Sequence, residues 1–281
     1  MRFHRILVVL TLAWVVVHGV VKGAEKEATK YVRFQCGDVV SYGVVEGDQI
    51  RKIDGDLFGQ WTLGNRTYPS RAVKLLVPSP HPSKVIAAAG NYKSHLGEDR
   101  ETPEHPKFFF KVPSCLIADG ENVVIPKTSH DVHFEAELVI VIGKRATKVS
   151  EGRALDYVLG VTCGNDISAR YWQRNDGQWW RAKGSDTFGP CGPVIAAGID
   201  YNDLLMRLRL NGEVKQEQST RDMVHNVSQI VSWASMHVTL EPGDLIYTGT
   251  PGKTSTIRPG DVLEVELEKV GVLTNPVVAE K

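Results

Sequence analysis

The sequence predicts a mainly β protein with helices at its edges, an α+β arrangement in which a small β-rich N-terminal module precedes a larger domain. Three observations predict it. The apolar residues fall in short runs of strand length, several with polar and apolar positions alternating. Helical periodicity is confined chiefly to two stretches, SEGRALDYV and MVHNVSQIVSWAS. The regular alternation of strand and helix that builds a doubly wound nucleotide-binding sheet is missing. The composition is that of a globular chain: of 281 residues 42% are hydrophobic, and 33 basic side chains balance 33 acidic ones. With no charge surplus, no nucleic-acid partner is expected.

In chain order, residues 1–23 read as a secretory signal peptide. Arg2 and Arg5 give a basic start, an apolar run follows from Ile6 to about Val21, and small residues stand at Gly23 and Ala24. The run is shorter than the ~20 apolar residues of a spanning helix, and His18 and Gly19 interrupt it. Cleavage near Gly23 is expected, with membrane contact only if the segment stays uncleaved, and the globular part is expected in the periplasm or secreted. Residues 24–80 form the small module, where YVRFQCGDVVSYGVVEGDQIRKIDG reads as strands broken by Gly and Asp and the three prolines of LLVPSPHPSKV mark a boundary. Residues 81–281 form the larger domain, with strands at VIAAAG, NVVIPK, AELVIVIG, DYVLGVTCGND, GPVIAAG, LLMRLRLNGEV, DLIYTGTP and DVLEVELEKVGVL.

Several short signals are set aside on spacing. YTGTPGKT ends like a phosphate-binding loop, but the glycine that loop needs five residues before Gly252 is Tyr247 here. Ser94, Ser168 and Ser185 have no nucleophile elbow around them and are read as structural. Cys36, Cys115, Cys163 and Cys191 contain no CxxC pair, which argues against a zinc knuckle, while export leaves a disulfide framework open. Trp172, Trp179 and Trp180 are read as core or pocket packing. Asn65 and Asn226 are glycosylation sequons that matter only in a host that uses them.

One stretch carries chemistry. HFEAELVIVIG, residues 133–143, places Glu135 and Glu137 two positions apart in a segment built to be buried. Alternate side chains of a strand share a face, so the two acids converge, and unpaired they would repel. A third acid, Asp166, follows where the apolar run of GVTCGNDISAR enters a turn. Three oxygen donors suit a hard cation such as Mg²⁺, Mn²⁺ or Ca²⁺. The competing reading pairs the acids with Arg170, Arg181 or Lys183 in a structural network. His133, on the same strand face, would draw the site toward zinc or iron. On these residues alone the alternatives stay open.

FEAELVIVIG, GNDISAR, GQWWRAKGSDTFGPCGP, LRLNGEV, LEPGDLIYTGTP and the terminal GVLTNPVV together resemble the fumarylacetoacetate hydrolase family, in its 2-hydroxyhepta-2,4-diene-1,7-dioate isomerase and acylpyruvate hydrolase branch. The resemblance runs from about Tyr31 to the C-terminus. It implies a mixed β-sandwich or roll, and Mg²⁺ or Mn²⁺ held by Glu135, Glu137 and Asp166, with Ca²⁺ also compatible. It implies that NYKSHLGE supplies His95 and Glu98 as the pair that activates water, and that Lys183 is catalytic beside the metal. Lys111 in FFFKVPS, Arg170 and Gln173 in SARYWQ, and Thr250 in TGTP take the places of substrate-facing residues. Two positions depart from the family pattern: Tyr171 stands where Asp is common, and Ala89 where a glycine is usual.

The expected chemistry follows from the donor set. A 2-oxo or 1,3-dicarbonyl acid chelates a hard cation through adjacent oxygens, so negative charge develops where positive charge already sits. The first expectation is a hydrolase that cleaves a C–C bond of a 2,4-dioxo acid, of acylpyruvate or fumarylacetoacetate type, through a metal-stabilised enolate. The runner-up is an isomerase or decarboxylase of 2-hydroxyhepta-2,4-diene-1,7-dioate or oxaloacetate type. An exported cation-binding or carbohydrate-binding module without turnover is the alternative of another class. HLGEDRETPEHPKFFFK is expected to act as a lid, and a homodimer is expected.

Overall fold

Beyond Ala28 the alternating stretch folds as a meander of β1 Thr29–Cys36, β2 Val39–Glu46, β3 Gln49–Gly55 and β4 Trp61–Pro69, followed by the short β5 Lys74–Leu76. Gly37 and Gly47 take φ of 56° and 61°, the left-handed conformation that tight hairpin turns need. The molecule is a computed structural model describing residues 27–97 and 99–281. The expected signal segment, residues 1–23, and Glu98 lie outside the described residues. Among the described residues no helix is long and apolar enough to cross a membrane.

The rest of the chain supplies β6 Val85–Ala89, a helical turn α1 Lys93–Leu96, β7 Lys107–Lys111, β8 Leu116–Ile117, β9 Val123–Ile125, β10 Val132–His133 and β11 Ala136–Ile142. Then come β12 Val158–Asn165, β13 Ser168–Ala169, α2 Arg170–Asn175, α3 Trp180–Gly184, β14 Gly189–Ala197, β15 Leu205–Leu210 and β16 Glu213–Ser219. The chain closes with α4 Val227–His237, β17 Leu245–Tyr247, β18 Val262–Leu267 and β19 Gly271–Ala279. The chain is mainly β with short helices at the margins, as the apolar pattern predicts. SEGRALDYV forms a 3₁₀ helix, Glu151–Tyr157. MVHNVSQIVSWAS forms α4, whose N-terminus is capped reciprocally. Asn226 Oδ1 accepts the Gln229 N–H and the Gln229 side chain accepts the Asn226 N–H, both at 3.0 Å. The sequon asparagine is thus committed to a helix cap.

The main sheet runs β4-β3-β2-β1-β14-β12-β11-β17-β6-β7, and a second sheet runs β16-β15-β18-β19-β9. Because β1 pairs antiparallel with β14, the strands of the N-terminal module continue the sheet of the larger domain. All seven residues of β11 are buried. Leu138, Ile140 and Ile142 enter one hydrophobic cluster, whereas Val139 and Val141 enter another with Val85, Leu245 and Tyr247. Apolar cover on both faces is why this strand reads as an unbroken apolar run.

One expectation is corrected here, and the disulfide question that the sequence leaves open is answered. The last five residues of the expected lid, Lys107–Lys111, form β7 at the sheet edge, antiparallel to β6, and the lid's first two, His95 and Leu96, belong to α1. The four cysteines are free. Cys163 and Cys191 stand on adjacent strands but pack into different clusters, on opposite faces of the sheet, where no bond can join them.

Candidate active site

The acids meet because backbone pairing brings two strand ends together. Glu135 precedes β11 and Glu137 is its second residue, while β12 pairs with β11 so that Ala136 faces Asn165. At that junction the Asp166 N–H donates to the Glu135 carbonyl at 2.8 Å, and the Glu135 N–H donates to Asn165 Oδ1 at 2.8 Å. One carboxylate oxygen each from Glu135, Glu137 and Asp166 then lies within 4.8 Å of the others, and all three residues are buried.

Lys183 Nζ donates to Glu135 Oε2 and to Asp166 Oδ2, both at 2.6 Å. Arg170 Nη2 donates to Glu135 Oε1 at 2.5 Å. Burial alone would raise the Glu135 pKa, but the charges of Lys183 and Arg170 outweigh it and hold the group well below the usual carboxylate range. Glu137 is the opposite case. Burial first, then the charges of Asp166 and Glu135, push it well above that range, offset in part by Lys183 and by the Gly249 N–H, which donates to Glu137 Oε2 at 2.6 Å.

Glu137 thus has no basic side chain hydrogen-bonded to it among the described residues, and it faces two carboxylates. A divalent cation would supply the missing positive charge, and an all-oxygen donor set suits Mg²⁺ or Mn²⁺, so the residues fit that group. The ion-pair network is also present, through Lys183 and Arg170 but not through Arg181, which pairs with Asp176 at 2.6 Å. His133 does not join the cage: its Nε2 bonds Asp131 Oδ1 at 2.8 Å and its Nδ1 bonds Thr254 Oγ1 at 2.9 Å. Burial and the Arg170 charge hold it below the usual imidazole range.

A cavity of about 860 Å³ opens onto Glu135 and Glu137. His95, Lys183, Arg170, Gln173 and Thr250 line it, with Phe109 and Trp179 as an apolar wall. Phe109 and Trp179 pack edge to face at 5.2 Å, and the Lys183 ammonium lies 5.3 Å from the Phe109 ring centre. Arg170 Nη1 donates to Gln173 Oε1 at 2.9 Å, and Thr250 Oγ1 accepts from Gln216 Nε2 at 2.9 Å. His95 Nδ1 meets the Gly252 carbonyl at 2.8 Å, which requires a proton on Nδ1 and leaves Nε2 as the basic nitrogen. That Nε2 lies 3.9 Å from Glu135 Oε1. Gly90, with φ of 69°, makes the turn into the His95 loop, so Ala89 ends β6 without strain.

Lys111 is placed differently from its expected substrate-facing position. It is fully buried behind the cage, donating to Asp166 Oδ1 at 2.6 Å and to the carbonyls of Phe188 and Lys183. Burial disfavours its charge, but Asp166 outweighs that cost and raises its pKa. The tryptophans also separate: Trp172 is buried with Arg181 over its ring at 4.6 Å, Trp179 lines the cavity, and Trp180 is 62% exposed. Tyr171 is 58% exposed and is not a lining residue.

Sequence reasoning missed several contributors. Asn91 ties the His95 loop to the TGTP loop: its Nδ2 donates to the carbonyls of Thr248 at 2.8 Å and His225 at 3.0 Å, and its Oδ1 accepts the His225 N–H at 2.8 Å. Gln216 also accepts the Ala136 N–H at 3.0 Å, bracing the start of β11. Thr254 and Asp131 join the cavity wall to His133. A buried glutamine inside the polar stretch EVKQEQS gives no pattern that periodicity detects.

The fold and the site define a β-rich protein whose buried carboxylate cluster forms the floor of a cavity lined by cationic and aromatic side chains. The chain belongs to the fumarylacetoacetate hydrolase family: the family's C-terminal domain model matches residues 84–278, and the Rv2993c-like N-terminal model matches residues 29–78. It is 41% identical over 257 residues to protein Rv2993c of Mycobacterium tuberculosis, covering 88% of this chain and 97% of that one. The crystal structure of 2-hydroxyhepta-2,4-diene-1,7-dioate isomerase from Mycobacterium marinum superposes with a TM-score of 0.84 at 40% identity, over 90% of this chain and 99% of that one. Maleylpyruvate hydrolase from Sphingobium sp. SYK-6, solved with manganese (II) ion and pyruvate, gives a TM-score of 0.74 at 30% identity, over 90% and 100%. The family is thus one of enzymes, with isomerases and hydrolases among them.

Proposed function

We propose that the protein is a divalent-cation-dependent isomerase of a 2-oxo acid, moving a proton between carbon and oxygen, or between two carbons, of an enolisable substrate. The observation that carries this reading is the tautomer of His95. Its Nδ1 is committed to the Gly252 carbonyl at 2.8 Å, so a basic Nε2 stands at the edge of the cage, 3.9 Å from Glu135. Glu135, Glu137 and Asp166 would hold Mg²⁺ or Mn²⁺, and the bound ion would polarise the oxygens of a chelating 2-oxo acid. His95 Nε2 takes a proton from the carbon beside the carbonyl and returns it at the new position. Arg170 holds the substrate carboxylate, and Lys183 adds positive charge beside the cage. Phe109 and Trp179 keep water from one side of the substrate. The isomerase from M. marinum, at 40% identity over nearly its whole length, supports the same reading.

Hydrolysis of a C–C bond is the second reading. It needs room for water beside His95 within the 860 Å³ cavity, and the maleylpyruvate hydrolase relative supports it. In that case His95 takes the proton of water as the hydroxyl adds to the distal carbonyl, and the carbon left by C–C cleavage takes a proton. Acetylpyruvate would give acetate and pyruvate. The Mn²⁺-loaded protein is offered oxaloacetate, acetylpyruvate and a 2-hydroxymuconate-type diacid, with the enol absorbance followed and the products separated. A faster change in the enol band with the carbon skeleton intact supports the isomerase. Release of acetate and pyruvate replaces it with the hydrolase, and no reaction with any of the three overturns both.

A further inference from the structure

We infer that Asp131, His133 and Thr254 form a positioning relay that fixes the Arg170 guanidinium for a substrate carboxylate. The inference rests on the proposed reading of Arg170 as the group that holds that carboxylate. Backbone pairing brings the three segments together. His133 in β10 pairs with Ser168 in β13 and, on its other side, with Thr256, while the Arg170 N–H donates to the Asp131 carbonyl at 2.7 Å. The side chains converge on the cavity wall that His133, Arg170 and Thr254 line.

The hydrogen bonds run in one direction. A carboxylate only accepts, so His133 Nε2 carries the proton that meets Asp131 Oδ1 at 2.8 Å. In the neutral ring Nδ1 is then the acceptor, and the Thr254 hydroxyl donates to it at 2.9 Å. The Thr254 oxygen therefore turns its lone pairs to Arg170 Nη2, which donates to it at 2.9 Å. The far end is anchored too, since Arg174 donates to Asp131 Oδ2 at 2.9 Å and the Thr256 hydroxyl donates to Oδ1 at 3.3 Å.

The arrangement decides what Arg170 has left to offer. Both protons of its Nη2 are taken, by Glu135 and Thr254, and one of its Nη1 protons goes to Gln173. Of the five N–H donors of a guanidinium, two have no acceptor among the described residues, one on Nη1 and one on Nε. With three bonds holding the plane, those two donors keep one direction, which lowers the cost of ordering the side chain when an anion binds. A hydroxyl free to rotate would not hold them, and His133 removes that freedom.

The test uses the full chain loaded with Mn²⁺ and titrated with pyruvate by calorimetry, with Mn²⁺ affinity measured in parallel. Thr254→Val and His133→Phe should each weaken pyruvate binding on the order of tenfold, the effect of one lost charge-assisted hydrogen bond. The double variant should lose no more than either single one, because both break the same chain. Thr254→Ser and His133→Asn, which keep the hydroxyl and its acceptor, should bind within about twofold of the parent chain. Mn²⁺ affinity should not move. Losses that multiply in the double variant, or Mn²⁺ affinity falling together with pyruvate affinity, would overturn the relay. If Thr254→Val does not fold, Thr254→Ala, which removes the same hydroxyl, should weaken pyruvate equally, and parent-like binding would overturn the relay. Arg170→Lys separates the two levels of argument. Weak pyruvate binding there with parent-like binding in His133→Phe refutes the relay alone, and parent-like binding in Arg170→Lys refutes the reading of Arg170 beneath it.

Discussion

The backbone N–H of Gly249 is the hydrogen-bond donor that Glu137 meets, at 2.6 Å, and the glycine is there because no other residue fits. Gly249 takes φ of 99°, and a Cβ at that position would stand 2.9 Å from the Cβ of Asn91. Asn91 cannot retreat, because its amide holds both Thr248 and His225. Gly249→Ala should therefore lose about 1–3 kcal/mol of stability through strain and crowding. It should also weaken Mn²⁺ binding by displacing the Glu137 carboxylate. Denaturant unfolding and metal titration of one sample check both, and an unchanged midpoint would contradict the steric argument.

Glu137→Gln separates the cage from the fold. The amide keeps the shape of the side chain and removes a carboxylate that faces two others, so the metal-free variant should be at least as stable as the parent chain. Mn²⁺ should raise the melting temperature of the parent chain and not that of the variant, since binding only the folded state stabilises by mass action. Equal Mn²⁺ stabilisation in both would remove Glu137 from the site.

Lys111 carries the correction to the sequence reading into a measurable difference. A lysine that touched substrate would show mainly in substrate affinity when replaced. Lys111 instead lies wholly inside the protein against Asp166. Lys111→Met should cost about 3 kcal/mol by taking from the buried Asp166 carboxylate one of its two ammonium partners, Lys183 being the other. A stable variant with only weakened pyruvate binding would restore the substrate role.

These cases show which parts of the site were legible. The cage was, because Glu135 precedes and Glu137 interrupts a strand apolar on both faces, and Asp166 follows another such strand. The resemblance carried His95, Arg170, Gln173 and Thr250 to the cavity wall. Lys111 was misplaced although it shares a face of β7 with the cavity-lining Phe109, because a motif does not state that Asp166 and the Phe188 carbonyl enclose the last side chain of that face. Gly249, Asn91, Gln216 and Thr254 were illegible because their partners lie 80 to 157 residues away. The fold class was readable from strand lengths. The joining of β1 to β14 was not, since pairing between distant strands leaves no local pattern.

His225 gives the pH dependence a sign. Burial holds its pKa below the usual imidazole value, with His105 adding to the effect and the Pro103 carbonyl opposing it. The unfolded chain thus takes up this proton before the folded one does. The stabilisation is present above the unfolded value near 6.5 and is lost as pH falls toward the lowered folded value. Melting temperature should fall as pH drops below about 6.5, and His225→Gln should flatten that fall. The same imidazole donates from Nε2 to the Pro103 carbonyl at 3.0 Å, so exchange of amides in residues 99–106 should quicken in the variant. A pH slope identical in both proteins would exclude His225 as its source.

His95 and Glu98 make the last distinction. The sequence pairs them, with the carboxylate setting the tautomer of the ring, yet the Gly252 carbonyl at 2.8 Å already fixes the proton on Nδ1. A base oriented by a backbone carbonyl does not need a carboxylate to choose its tautomer, although a carboxylate would still stabilise the protonated ring. His95→Ala should keep Mn²⁺ and pyruvate binding and lose turnover by ~10²- to 10⁴-fold. Glu98→Gln should lose less than His95→Ala. Equal losses in the two variants would mean that the pair acts as one unit and that the Gly252 carbonyl alone does not prepare the base.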